Sequence, residues 1–383
     1  MMQLNRTSTF QQPVRRGYIE GFYGRLLGFD DRLRLLDQLA KTGANSYFYA
    51  PKEDIWHRLA WREKYDNSWI DSLSAFCAQS GNIDILAGIA PGLDYDLHSA
   101  EAEYAALRAK AEQLLAAGAD ALVLMFDDIS DDESAFERAG LNEGAVHGRL
   151  VRRLHDDLGC RVDLVPRLYA DEIGGDIEGY ADGLAETLPE QSEIYICGMH
   201  IVAKQVNLQN DAGRLATYLA QHASPQNLVI WDNLYCHDYC PRRLFLCTYD
   251  GRAHEDPLLL NGTGLVETDR LYIALMQGAD RQALFSSAGV PDCFWQIAEF
   301  FDRPVFTDGA MPAAIDLSDR PTTLIKAVDE MLWRWKSPLA REWYPFLFGL
   351  KHDLQIASKL MEEDRLAKTQ TPILYDLLKG QIL

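Results

Sequence analysis

Eight short apolar segments recur along the chain, and stretches with helical character separate them. This alternation predicts parallel strands joined by crossover helices, because two parallel strands need a long connection between them. Eight such units predict an α/β chain folded as a (β/α)8 TIM barrel over about residues 15–278. A doubly wound sheet is the weaker alternative, because no G-x-G-x-x-G motif or P-loop follows any of the segments. The predicted strands lie in residues 17–24, 45–52, 83–90, 121–126, 161–169, 193–197, 227–233 and 257–261.

The domain boundaries follow from where this alternation begins and ends. Residues 1–14 are predicted to form an N-terminal tail, too short for an accessory domain, and residues 15–299 the barrel. After residue 300 the strand pattern disappears, and the aromatic-rich stretches 324–335 and 341–365 have helical character. We therefore expect residues 300–383 to form a short helical region packed on the barrel.

The fourth predicted strand carries the most informative side chains. Six apolar residues, 121–126, run directly into Asp127 and Asp128. A continuous apolar run is typical of a parallel strand buried on both faces, and barrel enzymes place their chemistry at the carboxyl ends of such strands. The alternative is an acidic loop or a helix cap, since Asp131, Asp132 and Glu133 follow closely.

The other strand ends carry residues suited to binding a sugar. Aromatic side chains can pack on a sugar ring, while amides, carboxylates and a lysine can bind its hydroxyl groups. No histidine ends a predicted strand, and Cys236-His237-Asp238-Tyr239-Cys240 lacks a second ligand pair at zinc-site spacing, so we expect no metal and no cofactor. The strand-end residues, besides the two aspartates, are Gly21, Tyr23, Lys52, Tyr169, Trp231, Asn233, Asp238 and Asn261.

Two adjacent carboxylates suit one form of glycoside hydrolysis better than the other. In the usual retaining scheme an acid and a nucleophile face each other about 5 Å apart, whereas neighbours on a strand point to opposite sides. Substrate-assisted hydrolysis removes this difficulty, because the 2-acetamido group of the sugar is the nucleophile. One carboxylate then holds the acetamido N–H and the other protonates the leaving oxygen. Like-charge coupling would separate the two titrations and keep one carboxylate protonated near neutral pH.

Several motifs together resemble glycoside hydrolase family 84. They are GYIEGFYG at 17–24, YAPK at 49–52, WREKY at 61–65, FDD at 126–128, WDN at 231–233 with DY at 238–239, and RLFL at 243–246. Each motif alone is weak, but the match runs in order from Gly17 to about Glu267 and covers the predicted barrel. The family contains β-N-acetylglucosaminidases that remove O-linked N-acetylglucosamine (O-GlcNAc) from proteins.

The resemblance implies a role for each matched position. Asp127 would orient and polarise the acetamido group, and Asp128 would act as general acid and then as base. Tyr169, in PRLY at 166–169, would bind the acetamido oxygen, and Trp231 would wall the acetamido pocket. The residues expected to hold sugar hydroxyls are Gly21 (through its backbone), Lys52, Asn233, Asp238 and Asn261.

The sequence also departs from the family pattern. Leu26 and Leu27 stand where the family usually has Pro-Trp, a change expected to affect the rim of the pocket and not its floor. The C-terminal helical region is short, which leaves open how a protein substrate is held and whether a homodimer forms there.

The composition of the chain limits the classes of partner that it is expected to bind. The formal net charge of −20 argues against nucleic acid or an anionic membrane as the main partner. No apolar run is long enough to span a membrane, and seven scattered cysteines suit a reducing cytoplasm.

The sequence therefore predicts a retaining exo-β-N-acetylglucosaminidase that acts through an oxazoline on a sugar or an O-GlcNAc-modified protein. Two alternatives remain: a catalytically silent barrel that binds N-acetylglucosamine or a glycoprotein, and an endo-acting hyaluronidase.

Overall fold

A computed structural model describes residues 14–129, 140–210, 212–222, 227–308, 315, 317 and 321–360. Eight parallel strands form a closed barrel in sequence order, and β1 pairs with β8 to complete it. This closure confirms the predicted (β/α)8 barrel and excludes the open, doubly wound sheet. The strands are β1 Arg16–Glu20, β2 Ser46–Tyr49, β3 Asp84–Ile89, β4 Ala121–Met125, β5 Val162–Val165, β6 Glu193–Ile196, β7 Asn227–Asp232 and β8 Leu258–Asn261.

The strands are apolar throughout because both of their faces are buried. In β4, Val123 and Met125 point into the barrel, where they share a cluster with Phe48 of β2 and Tyr195 of β6. Leu122 belongs to the second, larger cluster, which lies between the strands and the surrounding helices. The continuous apolar run at 121–126 therefore contributes side chains to both clusters, as expected for a barrel strand.

Helices follow the strands and cover the outside of the barrel. The helix ahead of β2 begins after Gly28 and ends at Gly43, whose left-handed backbone closes the last turn. Asp30 lies in the first turn of that helix, where its negative charge interacts favourably with the helix dipole. The helices are α1 Phe29–Thr42, α2 Asn67–Cys77, α3 Ala100–Ala116, α4 Glu143–Leu158, α5 Ile177–Thr187, α6 Gly213–His222, α7 Val266–Met276, α8 Arg281–Ser287, α9 Pro321–Trp333 and α10 Pro338–Ala357.

The two last helices pack on each other, and α10 docks on the barrel through a partly buried carboxylate. Glu342 of α10 accepts hydrogen bonds from the backbone N–H groups of Glu267 (2.9 Å) and Thr268 (2.8 Å), at the N-terminus of α7. The indole of Trp343 donates to the Thr268 hydroxyl at 3.0 Å. A residue of the C-terminal region thus caps the helix that follows β8, and this contact ties the region to the barrel.

Parts of the predicted organisation fall on residues outside this description. The predicted N-terminal tail is described only at Val14, and the end of the C-terminal region, 361–383, also lies outside. The domain boundaries at residues 14 and 299 therefore stay predictions. In the described part of the chain, every helix is too short or too polar to cross a membrane.

Candidate active site

The carboxyl ends of the barrel strands surround a cavity of about 210 Å³. All nine residues that the sequence predicts as site residues line this cavity, although they come from six different strands or the loops that follow them. Such convergence is expected of a barrel, whose strands all end at one face. The nine residues are Gly21, Lys52, Asp127, Asp128, Tyr169, Trp231, Asn233, Asp238 and Asn261.

Asp127 is the buried member of the carboxylate pair. It continues the inward-facing side of β4 beyond Met125, and the Lys52 ammonium donates a hydrogen bond to its Oδ2. Its second oxygen, Oδ1, is buried and has no hydrogen-bond partner among the described residues. A buried carboxylate oxygen without a donor is costly, so Oδ1 is placed to accept an N–H or O–H group from a ligand.

Asp128 lies next to Asp127 but has a different backbone conformation. Its φ of 54° is in the left-handed region, which a residue other than glycine rarely adopts. Neighbours in an extended strand would point apart, whereas here both carboxylates enter the cavity. The Lys52 ammonium, which binds Asp127 Oδ2, also lies 3.4 Å from Asp128 Oδ2. The backbone at Asp128 therefore removes the geometric difficulty that the sequence alone raises.

Two tyrosines hold the Asp128 carboxylate. Tyr23 donates to Oδ2 and Tyr169 donates to Oδ1, both at 3.0 Å. Burial acts to raise the pKa of Asp128, but the Lys52 charge and the two hydroxyl donors outweigh it and lower that pKa below its ordinary value. Asp128 in the free site is therefore a carboxylate at neutral pH. Asp128 is thus not the member of the pair that stays protonated in the free site, since the Lys52 ammonium contacts its carboxylate.

An amide network forms the opposite wall. Asn233 Oδ1 accepts from the Trp231 indole at 3.0 Å and from Asn261 Nδ2 at 2.9 Å. Asn233 Nδ2 donates to the Ile201 carbonyl at 2.9 Å, and the Gly21 N–H donates to Asn261 Oδ1 at 3.2 Å. These bonds fix which end of each amide faces the cavity, so the wall is preorganised for a polar ligand.

A model of the β-N-acetylglucosaminidase family (NAGidase) matches residues 16–263, which include all eight strands and every predicted site residue. The chain belongs to this family. The membership in glycoside hydrolase family 84 that the motifs predict is thereby confirmed.

Known relatives share only part of their length with this member of the family. The proteins named protein O-GlcNAcase from Rattus norvegicus and from Mus musculus are each 28% identical to it over 249 residues. The match covers 62% of this chain and 26% of each relative. This chain thus corresponds to about a quarter of the length of these relatives.

Solved structures share the fold. A mutant of the Thermobaculum terrenum O-GlcNAc hydrolase superposes with a TM-score of 0.73 at 20% identity, covering 89% of this chain and 82% of that one. The structure of CpGH84B superposes with a TM-score of 0.70 at 19% identity, covering 96% and 72%. Both support the barrel fold.

The cavity of this β-N-acetylglucosaminidase family member also has walls that sequence reasoning missed. Tyr239 directly follows Asp238 in the DY motif and could have been found from that position. Cys197 directly follows β6, so a complete reading of the strand ends would have included it. No sequence signal indicated Ile201, which lies in a loop. Tyr23, one of the predicted strand-end residues, also lines the cavity; the lining residues that the prediction missed are Val165, Tyr195, Cys197, Ile201, Cys236 and Tyr239.

The segment 236–240 has contacts other than metal ligation. Cys236 Sγ accepts from Asn261 Nδ2 at 3.6 Å, and Asp238 Oδ2 accepts from the Tyr23 N–H at 3.0 Å. The His237 ring packs edge-on against Phe346 of α10, with ring centres 5.8 Å apart. The described residues contain no group of three or more His, Cys, Asp or Glu placed to hold a metal ion.

Gly21 gives the cavity wall a close contact that a side chain would block. A Cβ at this position would lie 2.4 Å from Cζ2 of Trp231, whose indole is fixed by its bond to Asn233. We expect Gly21→Ala to displace Trp231 at a cost of about 1–3 kcal/mol, as for other overpacked sites. The displaced wall should also lower kcat/KM by up to about 10²-fold, as the misplacement of a site group by about 1 Å can, measured with 4-methylumbelliferyl β-N-acetylglucosaminide.

Gly28→Ala is the matched control, because a Cβ at Gly28 meets no atom within 4 Å and its φ of −81° suits any residue. We expect this variant to keep the wild-type kcat/KM. A wild-type value for Gly21→Ala would show that Trp231 moves freely and that the wall is not rigid.

Proposed function

We propose that this protein is a retaining exo-β-N-acetylglucosaminidase that works by substrate-assisted catalysis through an oxazoline. The proposal is carried by one observation: Oδ1 of Asp127 is buried and has no hydrogen-bond partner among the described residues. Beside it, the carboxylate of Asp128 keeps contact with solvent. One carboxylate is prepared to accept an N–H group, while the other can exchange protons with a leaving group and with water. Family membership supports the β-linked N-acetylglucosamine substrate.

In the first step, Asp127 Oδ1 accepts the acetamido N–H, while Lys52 holds Oδ2 of the same carboxylate. This contact orients the acetamido group and increases the negative charge on its carbonyl oxygen. The oxygen then attacks the anomeric carbon from the face opposite the leaving group, and the glycosidic bond breaks. Asp128 donates its proton to the departing oxygen, so the products are the free aglycone and a protonated oxazoline, whose N–H stays hydrogen-bonded to Asp127 Oδ1.

In the second step, the Asp128 carboxylate takes a proton from water, which attacks the anomeric carbon and opens the oxazoline. Two inversions at that carbon give overall retention. Asp128 must be protonated when the first step begins, although in the free site its pKa is lowered. We infer that Tyr169 turns from Asp128 to the acetamido oxygen when substrate binds. This change removes one of the two hydroxyl donors that stabilise the carboxylate.

The dimensions of the cavity support release of a terminal sugar. Its volume of about 210 Å³ is smaller than the roughly 300–1,000 Å³ of sites for drug-sized ligands and suits one sugar residue. Trp231 and Tyr195, which belong to the cluster inside the barrel, line it. Asn233, Asp238 and Asn261 are placed to bind the hydroxyl groups. An endo-acting hyaluronidase needs an open cleft on both sides of the cleaved bond, so the cavity favours exo-action.

The proposed aglycone is the serine or threonine of an O-GlcNAc-modified protein, because the relatives that match 62% of this chain are named protein O-GlcNAcase. Tyr23 and Tyr239 line the cavity and are 42% and 48% exposed, so the mouth offers aromatic surface to a peptide. The proposed location is the cytoplasm, where seven free thiols persist.

The first test compares two chromogenic substrates that differ only at carbon 2. The β-N-acetylglucosaminide should be cleaved with retention, whereas the β-glucoside should not, because it lacks the acetamido nucleophile. A thiazoline that mimics the oxazoline should inhibit strongly, since it resembles the transition state. Equal turnover of both substrates would refute the mechanism. Binding of N-acetylglucosamine without hydrolysis would instead support a silent, sugar-binding barrel.

The second test concerns the aglycone. Release of N-acetylglucosamine from an O-GlcNAc-modified protein should exceed release from a chitobiose-type disaccharide at equal concentration. Faster cleavage of the disaccharide would point to a cell-wall sugar as the substrate and would refute the protein assignment.

A further inference from the structure

Arg58 contacts the proposed general acid from outside the cavity. It lies in the loop between β2 and α2 and is not among the residues that line the cavity. One guanidinium nitrogen, Nη2, donates to the backbone carbonyl of Asp128 at 3.0 Å. The other, Nη1, donates to the hydroxyl of Tyr23 at 2.8 Å. Arg58 therefore contacts both the main chain of the acid and a residue that holds its carboxylate.

These contacts form a closed ring of hydrogen bonds. Tyr23 Oη accepts from Arg58 and donates to Asp128 Oδ2 at 3.0 Å, while Arg58 also binds the Asp128 carbonyl. The Arg58 guanidinium carbon lies 5.7 Å from the centre of the Tyr23 ring. The ring thus couples the side chain and the main chain of Asp128 through a single guanidinium group.

Asp128 needs such support because of its backbone. With φ at 54°, it occupies a region that persists only where the surroundings hold it. That conformation is also what brings the carboxylate into the cavity beside Asp127. A loss of the bond to the Asp128 carbonyl would allow the backbone to relax towards the ordinary strand conformation, in which the side chain points away.

The loop that carries Arg58 is itself anchored to β3. The buried ring of His57 donates from Nδ1 to the Gly88 carbonyl at 2.9 Å, and the Ala90 N–H donates to the His57 carbonyl at 3.0 Å. Burial lowers the pKa of His57 to about 4, so the ring is neutral and keeps this bond across the neutral range. The guanidinium therefore starts from a fixed backbone position.

We propose that Arg58 is a positioning residue for Asp128: it holds the general acid in its left-handed conformation and orients Tyr23 against the carboxylate. The inference rests on the proposed function, since it assigns a partner to the proposed acid. It requires the fork of arginine, because two nitrogens bind two partners at once, which a lysine ammonium on a flexible stem does not reproduce.

The experiment uses Arg58→Lys and Arg58→Gln in the full chain with a series of aryl β-N-acetylglucosaminides. For the poor leaving group methylumbelliferone, kcat/KM should fall about 10- to 100-fold, the scale of loss from a misplaced catalytic group. For dinitrophenol, which needs little protonation, the fall should be several-fold at most. A role in stability alone would instead slow all substrates together.

The pH profile distinguishes the effect of the Arg58 charge from the effect of its hydrogen bonds. Because the Arg58 charge lowers the pKa of Asp128, its removal in Arg58→Gln should raise that pKa. The acid form is the active form in the first step, so the basic limb of kcat/KM should move to higher pH. Arg58→Lys keeps the charge and should leave the limb in place while losing rate on methylumbelliferyl substrate.

Arg62→Gln is the matched control. Arg62 follows in the same loop, but its guanidinium binds the carboxylates of Asp94 (2.7 Å) and Glu103 (2.9 Å from Nε) rather than the site. Its loss should lower stability to urea without changing the dependence on the leaving group. Tyr23→Phe combined with Arg58→Gln should cost less than the sum of the single changes, because both break one ring of bonds.

Wild-type kinetics in both Arg58 variants, or an equal loss on every substrate, would overturn the inference. If the wild-type protein itself cleaves no N-acetylglucosaminide, the proposed function fails and takes this inference with it. The two failures are therefore distinguishable.

Discussion

Replacement of Asp128 by alanine should slow the cleavage of methylumbelliferyl and serine-linked substrates by about 10²–10⁴-fold, the usual contribution of a general acid. Dinitrophenyl β-N-acetylglucosaminide should be cleaved far closer to the wild-type rate, because its leaving oxygen departs without a proton. The acetamido nucleophile and its partner Asp127 stay in place in this variant. The measurement is kcat/KM over a series of aryl leaving groups, with the slope against leaving-group acidity as the readout.

Azide provides an internal control for this variant. As a small nucleophile that needs no base, it should speed the opening of the oxazoline where the Asp128 carboxylate is missing, and it should give a glycosyl azide. A slope equal to that of the wild type would show that Asp128 does not protonate the leaving group.

Replacement of Asp127 by alanine should slow every substrate together, by roughly 10²–10³-fold, as when one preorganised electrostatic partner of a transition state is removed. The acetamido group loses the acceptor that orients it, whatever the leaving group. Lys52 would also lose the carboxylate it binds most closely. We expect the slope against leaving-group acidity to stay near that of the wild type, and azide to accelerate this variant less.

Asn261→Ala serves as a comparison for general damage to the cavity, since it removes a hydroxyl-binding amide and neither carboxylate. A steeper dependence on leaving-group acidity in Asp127→Ala than in Asp128→Ala would reverse the two assignments. The order of the pair in this chain would then differ from the order that the family resemblance implies.

The position of Lys52 explains why the two aspartates are expected to differ so clearly. Its ammonium contacts both carboxylates, but it is closer to Asp127, whose side chain is nearly buried at 8% exposure against 32% for Asp128. Burial in contact with a cation suits a carboxylate that orients the nucleophile. Partial exposure suits a group that gains and loses a proton in every cycle.

The barrel, and the face at which the predicted site residues meet, could be predicted from the sequence alone. Strands such as Ala121–Met125 are buried on both faces, so their apolar runs are visible without any tertiary information. Polar residues that follow such runs must collect at one face, because parallel strands of a closed barrel all end there. For this reason all nine predicted site residues line one cavity.

The predicted strands were often too long, as at 17–24 against Arg16–Glu20, because apolar side chains continue into the loops of the site.

The arrangement of the two aspartates in the cavity could not be predicted, because it depends on the folded chain. The left-handed backbone of Asp128 depends on contacts from residues far away in the chain, and no local pattern predicts it. The direction of its pKa shift depends on Lys52, 76 positions earlier, and on two tyrosine hydroxyls, so the adjacency of the two aspartates alone does not predict it. The role proposed for Arg58 could not be predicted for the same reason. An arginine in a loop is usually solvated, and the hydrogen bonds of Arg58 form only when three loops come together. Burial and distance set these interactions, and both are properties of the folded chain.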